Sequence, residues 1–131
     1  MWKILVVDDA FENRQILVEI LRDFAVCDTA ANGKEAVEAY NRSVKSNSYD
    51  LILLDVAMPE INGIDFLNLV RENEKKAGIP LGNGIPIIMV TAYKEPFMDA
   101  FNKGCDDYIV KPIDPSSLLK KIEDKLGKLR N

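Results

Sequence analysis

The stretch ILLDVAMPEING, residues 52–63, decides how this chain is read. It opens with an apolar run that shows no polar alternation, as expected of a strand covered on both faces in a parallel sheet. The run delivers Asp55 to the strand's end, and Pro59 and Gly63 shape the loop beyond it. The same arrangement occurs at both ends of the chain. ILVVDD, residues 4–9, carries Asp8 and Asp9, and YIVKP, residues 108–112, carries Lys111. Two acidic strand ends and one basic one predict a single carboxylate-rich pocket with a lysine at its edge.

Between these runs the apolar spacing changes to that of helices. Over residues 13–24, Ile16, Leu17, Ile20, Leu21 and Phe24 fall on one side, while Arg14, Glu19, Arg22 and Asp23 face away. Residues 25–29 make a weak strand, and Ala31-Asn32-Gly33 marks a turn. A second helix carries Ala36, Val37, Tyr40 and Val44 inward. A third runs from Gly63 or Ile64 to about Lys75 with Ile64, Leu67 and Val70 inward. AGIPLGNG, residues 77–84, reads as an irregular loop. Ile85 to Val90 is a strand closed by Thr91 and Ala92. A short helix is expected over residues 96–103, stopping at Gly104, a good C-terminal cap residue. Tyr108 to Val110 is the last strand, and the final helix turns Leu118, Leu119, Ile122 and Leu126 inward.

This alternation predicts an α/β fold: a five-stranded parallel sheet with five helices shared between its two faces. Open sheets of this kind place their working residues beyond the carboxyl ends of the strands. Asp8, Asp9, Asp55, Thr91 and Lys111 all fall there. Residues 1–131 are read as one domain, with no output domain after it.

Composition narrows the function further. The chain has 131 residues, 47% of them hydrophobic, enough for a real core. Its 21 acidic and 17 basic residues leave a net charge of -4, with no dense basic patch. Direct nucleic-acid binding is therefore not expected. Cys27 and Cys105 lie far apart and in no metal-ligand spacing, which suits a reducing cytoplasm. No apolar run approaches the ~18 residues of a membrane span, and the N-terminus lacks the layout of a signal peptide. A soluble cytoplasmic protein without membrane association is expected. The chain contains no histidine, so that residue serves here neither as base, nor as metal ligand, nor as phosphoryl carrier.

One aspartate near a strand end is ordinarily just a surface carboxylate. Three held together repel one another, and a hard divalent ion such as Mg2+ is the natural partner for such an oxygen set. Asp8, Asp9 and Asp55 would supply its protein ligands. A carboxylate is also able to act as a nucleophile and form an acyl phosphate. Asp55, alone on its strand, is the best candidate. Lys111 would meet the phosphoryl oxygens as a point charge, and Thr91 would donate its hydroxyl to one of them.

Taken in order, these residues resemble the receiver domain of two-component response regulators, the family typified by the single-domain chemotaxis regulator. The resemblance rests on the acidic pair Asp8 and Asp9; on Asp55 followed by Met58, Pro59 and Gly63; on Thr91 and Ala92; and on Gly104, Asp107, Tyr108, Lys111 and Pro112. It implies a flavodoxin-like receiver fold. It also implies transfer of a phosphoryl group to Asp55 from a phosphohistidine on a partner sensor histidine kinase or histidine phosphotransfer protein. The receiver would catalyse its own phosphorylation and dephosphorylation rather than turn over a conventional substrate. The resemblance further implies bound Mg2+, with Mn2+ able to substitute and the backbone carbonyl of Ala57 completing the metal site. Thr91 and Tyr108 would act as a switch that changes the surface used by a downstream protein target. Phe97 and Phe101, with Tyr108, are candidates for that surface, and a phosphorylation-dependent homodimer is among the assemblies it allows.

Some features depart from the family pattern. The segment between Asp55 and Thr91 is longer than usual, the extra length lying in ENEKKAGIPLGNGIP. Ala57 and Tyr93 lie where the family tunes the lifetime of the phosphoryl group, and their sizes point in opposite directions. Three rival readings remain. A receiver fold that no longer phosphorylates would be a pure interaction module. An aspartate-nucleophile phosphatase of the haloacid dehalogenase kind would need an acid two residues beyond Asp55, where Ala57 stands. A flavin-binding flavodoxin-like domain would need a hydroxyl-rich phosphate loop, where this chain has DDAFEN.

Overall fold

The structure is a computed structural model that describes residues 1–55, 63–92 and 104–127. Its elements in chain order are β1 (Trp2–Val7), α1 (Phe11–Leu21), β2 (Ala25–Ala30), α2 (Gly33–Ser43), β3 (Leu51–Leu54), α3 (Gly63–Lys76), β4 (Ile87–Thr91), β5 (Asp107–Val110) and α4 (Pro115–Leu126). The strands form one parallel sheet in the order β2-β1-β3-β4-β5. The expected five-stranded parallel sheet is thus present, but the expectation of five helices is corrected to four among the described residues. The short helix expected over residues 96–103 lies outside the described residues.

Side chains alternate across the sheet, which splits the core in two. Leu5, Val7, Ile52, Leu54, Ile87 and Met89 pack with Ala36 and Tyr40 of α2 and with Phe66, Leu67 and Val70 of α3. Ile4, Val6, Leu51, Leu53, Ile88 and Val90 pack with Leu17 and Leu21 of α1 and with Leu118 and Ile122 of α4. Both faces of β3 and β4 are therefore buried, which is why their sequences are apolar without alternation. At the sheet edge, β2 is buried only at its ends, Ala25 and Ala30, and is exposed or half-buried between them, which explains its weak sequence signal.

Local chemistry sets several element ends. At the start of α2 the Asn32 side chain accepts the Glu35 N–H at 2.8 Å, and the Glu35 carboxylate accepts the Ala31 N–H at 2.7 Å. The first bond satisfies a donor the helix leaves open, and the second ties the preceding turn to the helix's first turn. At α4, Asp114 caps Ser117, and Pro115 occupies the first turn. β4 begins two residues later than expected. Pro86 has no N–H to give, and its carbonyl accepts from Ile52 at 3.0 Å as pairing begins. α1 begins earlier than expected, at Phe11, and its buried line runs through Leu17 and Leu21. Ile16, expected inward, is 49% exposed. Val44, also expected inward, lies past the end of α2 and is exposed.

The segment after α3 is irregular. Gly78 and Gly82 adopt positive φ, and the exposed Leu81 stands between them. The loop lies at the end of the sheet opposite Asp8 and Asp55. Arg71 of α3 ties that end together: it donates to the Gly104 carbonyl at 2.9 Å, the Ile85 carbonyl at 2.9 Å, Glu74 at 2.7 Å and Asp106 at 2.9 Å.

Candidate functional site

β1 and β3 are adjacent and in register, Val7 facing Leu54, so the residues that follow them, Asp8 and Asp55, leave the sheet side by side. The backbone holds both there. Asp8 N–H donates to the Ala30 carbonyl at 3.1 Å, and Asp55 N–H donates to the Val7 carbonyl at 2.9 Å. Asp8 is 1% exposed and Asp55 6% exposed, while Asp9 faces solvent. One carboxylate oxygen from each of Asp8, Asp9 and Asp55 lies within 4.8 Å of the other two. Pockets this crowded with negative charge require a compensating cation.

Lys111 supplies one. It follows β5, whose Val110 stands beside Thr91 of β4, and its own N–H donates to the Thr91 carbonyl at 2.8 Å. Its ammonium donates to Asp8 Oδ2 at 2.9 Å and to Asp55 Oδ2 at 3.4 Å. Burial works against the lysine's charge. The hydrogen bond to Asp8 and the charges of Asp55 and Asp8 outweigh it and hold the pKa above the ordinary lysine value. One ammonium for three carboxylates leaves net negative charge. The remaining need is for a small hard cation with oxygen ligands, and the donor set fits Mg2+ in type and charge.

Asp8 is the most constrained of the three. Its Oδ1 accepts the Ala10 N–H at 2.9 Å, with the Asn13 amide at 3.5 Å. Its backbone carbonyl accepts from Arg14 Nη1 at 2.8 Å. Arg14, expected to face away, instead reaches back over the first turn of α1. Sequence reading missed it. The available signal was its place one turn into the helix, because helical side chains lean toward the N-terminus.

Thr91 ends β4 and is buried. Tyr108 lies on β5 half-buried, and the Lys121 ammonium sits 5.9 Å from the centre of its ring. The structure therefore brings Asp8, Asp9, Asp55 and Lys111 together and sets Thr91 on the strand beside Lys111. Ala57, Tyr93, Phe97 and Phe101 lie outside the described residues.

Residues 4–123 match the response regulator receiver domain family. The chain belongs to that family. Among relatives of this receiver domain, hybrid signal transduction histidine kinase L of Dictyostelium discoideum is 39% identical over 132 residues, which cover 98% of this chain and 7% of the kinase. The chain thus spans a small fraction of that relative's length. A chemotaxis protein CheY homolog of Campylobacter jejuni is 35% identical over 127 residues, covering 95% of this chain and 92% of that protein. Among solved structures, the response regulator TrrA of Thermotoga maritima, in complex with Mg2+-BeF, superposes with a TM-score of 0.78 at 34% identity. That superposition covers 96% of this chain and all of TrrA's, 100%.

The receiver domain's Asp8, Asp9 and Asp55 are positioned like the Mg2+-coordinating carboxylates of known receiver sites. The cluster is consistent with Mg2+-dependent phosphoryl acceptance in two-component signalling, and the domain is a phosphoacceptor rather than a conventional turnover enzyme. The family implies a histidine kinase or phosphotransfer protein as its general partner. No helix among the described residues is long and apolar enough to cross a membrane.

Proposed function

We propose that Asp55 is the phosphoryl acceptor of this receiver domain, served by Lys111 and Thr91, with Asp8, Asp9 and Asp55 holding the divalent ion. The observation that carries this reading is the Lys111 ammonium lodged between Asp8 and Asp55 at 2.9 and 3.4 Å. That position sets a mobile positive charge at the acceptor oxygen.

In the reaction, an Asp55 oxygen attacks the phosphorus of the donor's phosphoimidazole. The phosphorus–nitrogen bond breaks as the phosphorus–oxygen bond forms, and the imidazole leaves with its electron pair and takes up a proton. Lys111 neutralises the Asp55 carboxylate before transfer and moves its charge to a phosphoryl oxygen afterwards. Thr91, at the end of the neighbouring strand, offers its hydroxyl to another of those oxygens. Mg2+, when bound by the three aspartates, offsets charge on the carboxylates and on the entering group. The backbone carbonyl of Ala57 is the further ligand the family pattern implies.

Once phosphorylated, Asp55 carries added negative charge that draws Lys111 and Thr91 toward it. Signalling follows if the new arrangement favours one packing of the β4–β5 surface over another. Tyr108 is the candidate switch there. The donor is a sensor histidine kinase or a histidine phosphotransfer protein, and the output is contact with a downstream protein.

The test is intact mass after incubation with Mg2+ and acetyl phosphate or phosphoramidate, run beside Asp55→Ala. A Mg2+-dependent gain of one phosphoryl group, absent from Asp55→Ala, is expected. No gain with any donor from a folded protein would point to a constitutive interaction module.

A further inference from the structure

Asp9 differs from the other two carboxylates. Asp8 is gripped by Lys111 and Ala10, and Asp55 is buried beside Lys111. Asp9 is exposed, and among the described residues no hydrogen bond or ion pair holds its side chain. Yet one of its oxygens lies with those of Asp8 and Asp55 inside the same 4.8 Å group. Its aim into the cluster therefore comes from the backbone.

We infer that Arg14 is the positioning residue for Asp9, acting by holding the carbonyl of the residue before it. The peptide joining Asp8 to Asp9 is planar, so the direction of the Asp8 C=O fixes the Asp9 nitrogen and Cα. Arg14 Nη1 donates to that carbonyl at 2.8 Å. Two further contacts place Arg14, one through its backbone and one through its guanidinium. The Arg14 N–H donates to the Ala10 carbonyl at 3.1 Å, which seats Arg14 on the first turn of α1. The centre of the exposed Phe11 ring lies 5.7 Å from Arg14 Cζ, within reach of a cation–π attraction. A cation held over a ring face keeps its N–H donors available for the loop. Such outer supports govern how well a ligand set closes on its ion, and their loss costs about 10- to 100-fold in affinity.

This inference rests on the reading of the carboxylate cluster as a divalent-cation site. It makes a prediction opposite in sign to simple charge. Removing a positive side chain near a cation site, with nothing else changed, tightens cation binding. Removing a positioning residue weakens it.

The experiment is Mg2+ titration by calorimetry of the unaltered chain and Arg14→Met, with backbone 15N relaxation of both in the absence of metal. Methionine keeps the apolar packing on Phe11 and loses the bond to the carbonyl. The dissociation constant is expected to rise about tenfold. The order parameter of the Asp9 amide is expected to fall from the rigid range near 0.85 to under about 0.6, while the urea midpoint changes little. Equal or tighter Mg2+ binding, or an Asp9 amide as rigid as before, overturns the inference and leaves the site reading standing. Failure of the unaltered chain to take up Mg2+ overturns both.

Discussion

At the scale of single residues, the site is a balance between crowded carboxylates and one ammonium. Lys111 is held above its ordinary pKa because the hydrogen bond and charges at Asp8 and Asp55 exceed the cost of burying it. The same geometry means that Asp8 and Asp55 depend on Lys111 when no ion is bound. Lys111→Met leaves two buried carboxylates facing each other and is expected to lower stability by about 1–3 kcal/mol in metal-free buffer. Added Mg2+ should recover most of that loss, because it takes over the missing charge. Urea unfolding with and without Mg2+ measures both effects, and a loss indifferent to Mg2+ would argue against the ion sitting between these residues. The carboxylates and the lysine were legible in the chain because each ends an apolar run. Arg14 was not, because periodicity reports which way a Cα faces and not where a long side chain ends.

At the scale of elements, the end of the sheet opposite the site is organised by Arg71. This one side chain joins α3 to the approach to β4 through Ile85 and to the approach to β5 through Gly104 and Asp106. Glu74, 8% exposed, completes the network by accepting the Ile85 N–H at 2.6 Å. Arg71→Met strands two carboxylates and two carbonyls, and should cost about 3 kcal/mol of stability. Gly84→Ala should destabilise through the same network, since an added Cβ there would run into the Glu74 carboxylate that Arg71 and Ile85 hold. Comparing the urea midpoints of the two variants and their double variant tests whether they act through one network, in which case the effects will fall short of additive. The sequence marked residues 77–84 as a loop through its glycines and proline. Nothing in it marked Arg71 as the tie at that end, because its partners outside α3 lie 14 to 35 positions away.

For the whole molecule, several groups favour their protonated form in the fold. Burial and the neighbouring Asp28 charge push the Cys27 thiol up from 9.0 to about 11. Burial and the bond to Asp28 raise Tyr49, and burial raises Tyr40. Each unfolded counterpart, like that of Lys111, releases its proton at lower pH than the folded one. Their contributions are therefore complete below the unfolded values and disappear as pH rises through the folded ones. Stability should decline from about pH 9 upward, and the Cys27 share should be spent by about pH 11. Urea midpoints measured across that range for the unaltered chain and Cys27→Ala check this. The alanine variant should show a shallower decline.

The sequence by itself determined the sheet, its parallel sense and the identity of the acidic and basic strand ends. Apolar runs of four residues without alternation (Ile4 to Val7, Leu51 to Leu54, Ile87 to Val90) have few other ways to be buried, and their interleaving with segments of helical spacing forces crossovers between parallel neighbours. Tertiary structure alone decided the rest. It brought Asp8, Asp55 and Lys111 within hydrogen-bonding reach across separations of 56 and 103 residues. It also turned Arg14 back onto the Asp8 carbonyl and made Arg71 the tie at the opposite end. Those contacts depend on strand order and side-chain reach, and neither is encoded in the local spacing of residues.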